Sequence, residues 1–105
     1  MRAVCSALAL CVMVSPVAAQ DRESRERGHA LALQLCSGCH VVSFGQRPPA
    51  AVMAPTFRDI SNRPDMNEVS LRNFLRTPHP IMPMLILSVD EMHDVSKFIM
   101  SLKER

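Results

Sequence analysis

The chain has 105 residues, a net charge of +2 from 12 basic and 10 acidic side chains, 48% hydrophobic residues, four Phe and no Trp or Tyr. That length holds one small domain, and the interspersed charges exclude the basic footprint of a nucleic-acid binder. The four cysteines do not make a disulfide framework, because Cys5 and Cys11 fall in the leader and Cys36 and Cys39 are too close to close a useful loop.

Met1–Gln20 opens on Arg2, runs uncharged from Ala7 to Val14 and ends in Pro16-Val17-Ala18-Ala19, with small residues before a cut after Ala19. A basic start, a short apolar run and small residues define a secretory signal, with Ala18 as the alternative last residue. The run is shorter than the roughly 20 residues a span needs. A retained anchor and a lipid anchor at Cys11 are the weaker readings, since Leu10 is too large for the position before a lipidated cysteine. The expected organisation is a cleaved peptide over residues 1–19 and one domain over 20–105, exported to the periplasm with no membrane insertion afterwards. The mature chain is short enough to need a staple or cofactor to complete its core.

The charged run Asp21–Arg27 reads as a solvated helix start with opposite charges at helical spacing. A first helix is predicted from about Glu23 to Cys36, with Gly28, Leu31, Ala32 and Leu35 on one face. Ser43–Ala54 reads as a loop. Thr56–Ser61 is a short helix presenting Phe57 and Ile60, and Asn67–Arg76 a longer one carrying Leu71, Phe74 and Leu75. Prolines rule out regular structure from Thr77 to Pro83. Ser88 and Glu91 form a capping box opening a last helix lined by Met92, Val95, Phe98 or Ile99, and Leu102, with Lys103 and Arg105 at its C-terminal end. No strand is expected.

Cys36-Ser37-Gly38-Cys39-His40 carries the chemistry. C-x-x-C-H is the attachment pattern of a c-type haem: two thioethers reach adjacent edges of one porphyrin, and the following imidazole falls where it can bind iron. Small Ser37 and Gly38 allow a tight turn. A redox dithiol would want a thioredoxin-like βαβ context, and a zinc site would need a second ligand pair that His79 and His93 do not form. The sixth iron ligand in such electron carriers is a thioether. Met82, beside Pro83 in the rigid loop before the last helix, is the leading candidate; Met84 is its rival and His79 a third option. Met53, Met66, Met92 and Met100 read as core fillers, and His29 and His93 as surface residues.

With these motifs on the page, the chain resembles the class I mono-haem cytochromes c over nearly all of its mature length. The resemblance implies an all-α bundle of about four helices packed around one covalently bound haem c with its iron. It makes Gly28 the site of a close crossing with the last helix, where Phe98 is the aromatic partner. Ala54-Pro55-Thr56-Phe57-Arg58-Asp59-Ile60-Ser61-Asn62-Arg63 is similar to the family's Gly-Pro-x-Leu-x-Gly-x-x-Gly-Arg segment. By that match the Pro55 carbonyl accepts the Nδ1 proton of His40, Phe57 packs on the ring, and Arg63 faces a propionate. Leu75, in Phe74-Leu75-Arg76-Thr77-Pro78, joins Leu31, Leu35, Phe57, Phe74 and Phe98 in the apolar shell. The segment departs from the family at Ala54, Asp59 and Asn62, which stand where it has glycine. The lack of Trp and Tyr removes the usual aromatic partners of the inner propionate. With only Lys97 and Lys103, docking known for highly basic relatives does not transfer.

The implied function is one-electron transfer with His40 and Met82 as axial ligands, not enzymatic turnover. The protein would be either a diffusing carrier between donor and acceptor complexes or the small cytochrome subunit of a dehydrogenase. A ligand-binding sensor or weak peroxidase with an open sixth position is the alternative.

Overall fold

Ser15 enters the first helix in extended conformation and Pro16 takes its first turn, where a missing N–H costs nothing and a fixed φ is already helical. In the computed structural model, which describes residues 10–13, 15–49, 54–77, 81–82 and 85–104, α1 therefore spans Pro16–Leu35. It begins earlier than Glu23 because nothing in Val17–Arg22 breaks a helix, and it runs through the expected cleavage point.

Three shorter helices follow, each opened by a side chain accepting from the backbone three residues on. Thr56 accepts from the Asp59 N–H at 3.0 Å and starts α2, Phe57–Ser61. Asn67 accepts from the Ser70 N–H at 2.9 Å and starts α3, Glu68–Arg76. Ser88 and Glu91 close a reciprocal capping box, at 3.1 and 2.8 Å, and start α4, Val89–Ser101. Each satisfies donors that a helix start leaves without partners. The described residues contain these four helices and no strand, an all-α fold.

α4 is the hub, with α1 packed along it and α2 and α3 against it. The core joins Ala32 of α1, Val42 of the following loop, Phe57, Leu71, and Val95, Phe98 and Ile99 of α4. The predicted faces hold in outline. Gly28 and Ala32 are buried and Leu31 is half-buried, whereas Leu35, the last residue of α1, is 45% exposed. On α3, Leu71 is buried and Leu75 half-buried, but Phe74 is 45% exposed. Met66 and Met100 pack against the core and Met92 is buried within α4; Met53 and Arg105 lie outside the described residues.

Two readings of the surface are corrected. The Asp21–Arg27 run is not wholly solvated. Ser24 is buried and donates its hydroxyl to the Asp94 carboxylate, and Arg27 adds Nε at 2.8 Å and Nη2 at 3.2 Å. Close approach of α1 and α4 puts Asp94 over that face; the expected i,i+4 pairing survives at Arg22–Glu26, 3.0 Å. His29 is half-buried, stacked on Phe98 with centroids 4.6 Å apart and Nε2 2.6 Å from the Ser43 hydroxyl, whereas His93 is exposed.

Burial pushes the Asp94 carboxyl up, but the hydrogen bonds from Arg27 and Ser24, with the Arg27 charge, outweigh it and hold the group below its ordinary value. A depressed native pKa contributes stability that is complete above the unfolded value, ~3.9, and is lost as pH falls through the native one. Denaturant midpoints of the haem-loaded protein are therefore expected to decline below about pH 4. Asp94→Asn should lower the neutral-pH midpoint and flatten part of that acid decline; an unchanged acid profile would show that Asp94 is not a linked group.

Candidate functional site

The site begins where α1 ends. The Cys36 N–H still reaches the Ala32 carbonyl at 2.8 Å, and then the N–H groups of Cys39 and His40 both turn back to the Cys36 carbonyl, at 3.1 and 2.9 Å. This turn presents two half-buried cysteines, both free thiols, followed at once by the imidazole. A Cβ at Gly38 would meet no atom within 4 Å, and Gly38 does not have positive φ, so no contact within the chain itself demands glycine there.

The second segment of the site arrives from before α2. His40 Nδ1 lies 2.6 Å from the Pro55 carbonyl oxygen. A carbonyl can only accept, so Nδ1 carries the proton and Nε2 is left with its lone pair free to bind a metal. The Phe57 N–H bonds the Val41 carbonyl at 3.0 Å, holding the two segments together. Phe57 is buried, with its ring 5.3 Å from the imidazole at a 51° tilt, and it leads on to Phe98 at 6.3 Å. The His40 ring therefore sits between a fixed acceptor and the aromatic part of the core.

The remaining expected residues stand further off. Leu75 packs against the core cluster. Arg63 is exposed in the turn after α2, its N–H bonded to the Ile60 carbonyl at 3.3 Å and its carbonyl accepting from Met66 at 3.1 Å. Met82 is half-buried in the bend between α3 and α4. No hydrogen bond or ring contact among the described residues joins Arg63 or Met82 to His40. Met84 and His79 lie outside the described residues. One participant escaped the sequence reading: the Gln46 side chain bonds the backbone at Ser37, His40 and Val42. Its only signal was a loop glycine, Gly45.

Burial, and secondarily the neighbouring Cys39, push the Cys36 thiol above its ordinary value. A reducing dithiol needs the opposite, a lowered pKa. Among the described residues no group of three or more His, Cys, Asp or Glu could hold a metal ion. Two cysteines on one turn, an imidazole with a set tautomer and an aromatic floor form a donor set that fits a covalently attached haem.

The fold and this chemistry define an all-helical carrier of a covalent haem. The sequence profile of the Cytochrome c family matches residues 25–103, and the chain belongs to that family. It is 37% identical over 103 residues to the protein "Cytochrome c-552" of Bradyrhizobium diazoefficiens (strain USDA 110), an alignment covering 98% of this chain and 95% of that one. No solved structure matches significantly. The protein is a small c-type cytochrome that carries haem c with its iron and moves electrons between redox partners; it is not an enzyme.

Proposed function

We propose that this protein is an exported one-electron carrier whose haem is attached through Cys36 and Cys39 and ligated by His40 and Met82. The observation that carries the reading is the 2.6 Å contact from His40 Nδ1 to the Pro55 carbonyl, immediately after the attachment turn. A carbonyl partner on Nδ1 fixes the ring plane and makes the imidazole a better donor through Nε2. Phe57 and Leu75 keep water from the ligand side, and the exposed Arg63 guanidinium offers a fork of donors to a propionate. The Met82 thioether is a neutral, weak ligand that favours the reduced state. When bound, the haem would supply an Fe(III)/Fe(II) couple, and with His40 and Met82 both ligating it no position would be left for a substrate.

Export is part of the proposal. Among the described residues Ser24 is the first buried one, and of Pro16–Glu23 only Asp21 is even half-buried. Cleavage after Ala19 therefore removes no core residue among those described and leaves Asp21 paired with Lys97, 3.3 Å away. No described helix is long and apolar enough to cross a membrane. In the periplasm the protein would serve either as a diffusing carrier or as the small cytochrome subunit of a dehydrogenase.

Optical spectra of the haem-loaded protein test this reading. Sharp low-spin bands in the reduced form, with the ferric charge-transfer band of sulfur ligation, are expected. A high-spin ferric spectrum with ready CO binding would replace electron carriage by ligand binding or peroxidase chemistry. Absence of the haem mass from the denatured chain would overturn the attachment assignment.

A further inference from the structure

His40 is held by more than its ring. The chain leaves the attachment turn, passes Val42 and reverses at Ser43-Phe44-Gly45-Gln46, where the Gln46 N–H reaches the Ser43 carbonyl at 3.3 Å. Gly45 has φ +77°, the left-handed conformation that only a residue without Cβ adopts at little cost. The reversal brings the half-buried Gln46 side chain back over the attachment turn. Its Oε1 accepts from the Val42 N–H at 2.8 Å, and its Nε2 donates to the His40 carbonyl at 3.0 Å and the Ser37 carbonyl at 3.4 Å. One acceptor meets a donor and two N–H groups meet two carbonyls, so the partners dictate the orientation of the amide. Beyond the end of α1 those carbonyls have no helical ladder to join. Val42 is 1% exposed, which puts its N–H where water is scarce.

We propose that Gln46 is a positioning residue for the axial ligand: its amide pins the His40 backbone while the Pro55 carbonyl pins the His40 ring. This rests on the reading of His40 as an iron ligand given above. Pro55 alone sets the tautomer and plane of the imidazole; it does not stop the backbone of Ser37–His40 from shifting as a unit. With both anchors the imidazole has one position, and Nε2 keeps full donor strength in both oxidation states. A side chain that donates to two carbonyls and accepts from the Val42 N–H is required, and among neutral residues Gln combines that amide with the reach this loop needs.

The test uses the haem-loaded protein and its Gln46→Met variant, which keeps the length of the side chain and loses the amide. Two results are expected. Exchange of the Val42 amide proton rises at least tenfold. The ferric–ferrous equilibrium moves about threefold toward the ferrous form, because a loosened imidazole is a weaker donor to ferric iron; that is about 28 mV at 59 mV per tenfold for one electron. A residue that only staples the loop would accelerate Val42 exchange and leave the equilibrium unmoved, and that outcome, or a shift toward ferric, overturns the proposal. If Gln46→Met does not accumulate with haem attached, Gln46→Ala, which lets water reach the freed groups, is read by the same criteria. Failure of the wild-type protein to show sulfur ligation would count against Met82 and the carrier reading, while the Gln46 comparison still reports on His40.

Discussion

Gly28→Ala is expected to destabilise the protein by about 3 kcal/mol, the upper part of the usual range for overpacking. Intrinsic helix propensity argues the other way, since Ala is favoured over Gly by about 1 kcal/mol in a helix interior. The environment decides. A Cβ on Gly28 would run into the carbonyl group of Asp94 and stand 3.0 Å from the Phe98 Cβ. The first obstacle is backbone inside α4, which cannot rotate away as a side-chain end could. The two helices would have to separate, taking Ala32, Val95 and Phe98 out of contact and loosening the Ser24–Asp94–Arg27 cluster. Chemical denaturation of the haem-loaded variant measures this directly. A midpoint equal to or above that of the wild type would mean the helices do not cross as closely as the structure has them.

Met82→Ala should convert a six-coordinate haem protein into one with an accessible iron, if Met82 is the ligand proposed. Loss of the thioether removes the preference for ferrous iron, so the potential should fall by a sizeable fraction of the ~0.8 V that axial ligands span. The ferric form should turn high-spin and the ferrous form bind CO. Met82 is half-buried in the bend before α4. Met84→Ala is the matched control and should leave spectrum and potential in place. The reverse pattern, with Met84 sensitive and Met82 silent, would move the ligand two residues along the chain.

Much of this architecture was legible because its determinants are local. Thr56, Asn67 and Ser88 announce their helices through side chains that reach a backbone N–H three residues on, a relation any reader of the sequence can test. The start of α1 was not legible: Pro16 and the alanines after it read as the end of a signal segment, and the first helix is expected from about Glu23, whereas α1 opens at Pro16. Local pattern also misjudged charge: the Asp21–Arg27 run reads as solvated, yet Ser24 within it is buried and bound to Asp94, 8% exposed and seventy residues away.

By itself the sequence determined the helical class, the caps and the C-x-x-C-H turn of a c-type cytochrome, because each is written in residues within a few positions of one another. Only the tertiary structure decided that His29 stacks on Phe98, that Val42 is core and that Gln46 reaches back to His40. The first of these depends on the angle and register at which α1 crosses α4, set by one glycine meeting one carbonyl. The others depend on a left-handed turn at Gly45 that reverses the loop. Periodicity reports which face of a helix is apolar; it carries no information about which distant residue will be pressed against that face, and that choice is made when the whole core packs.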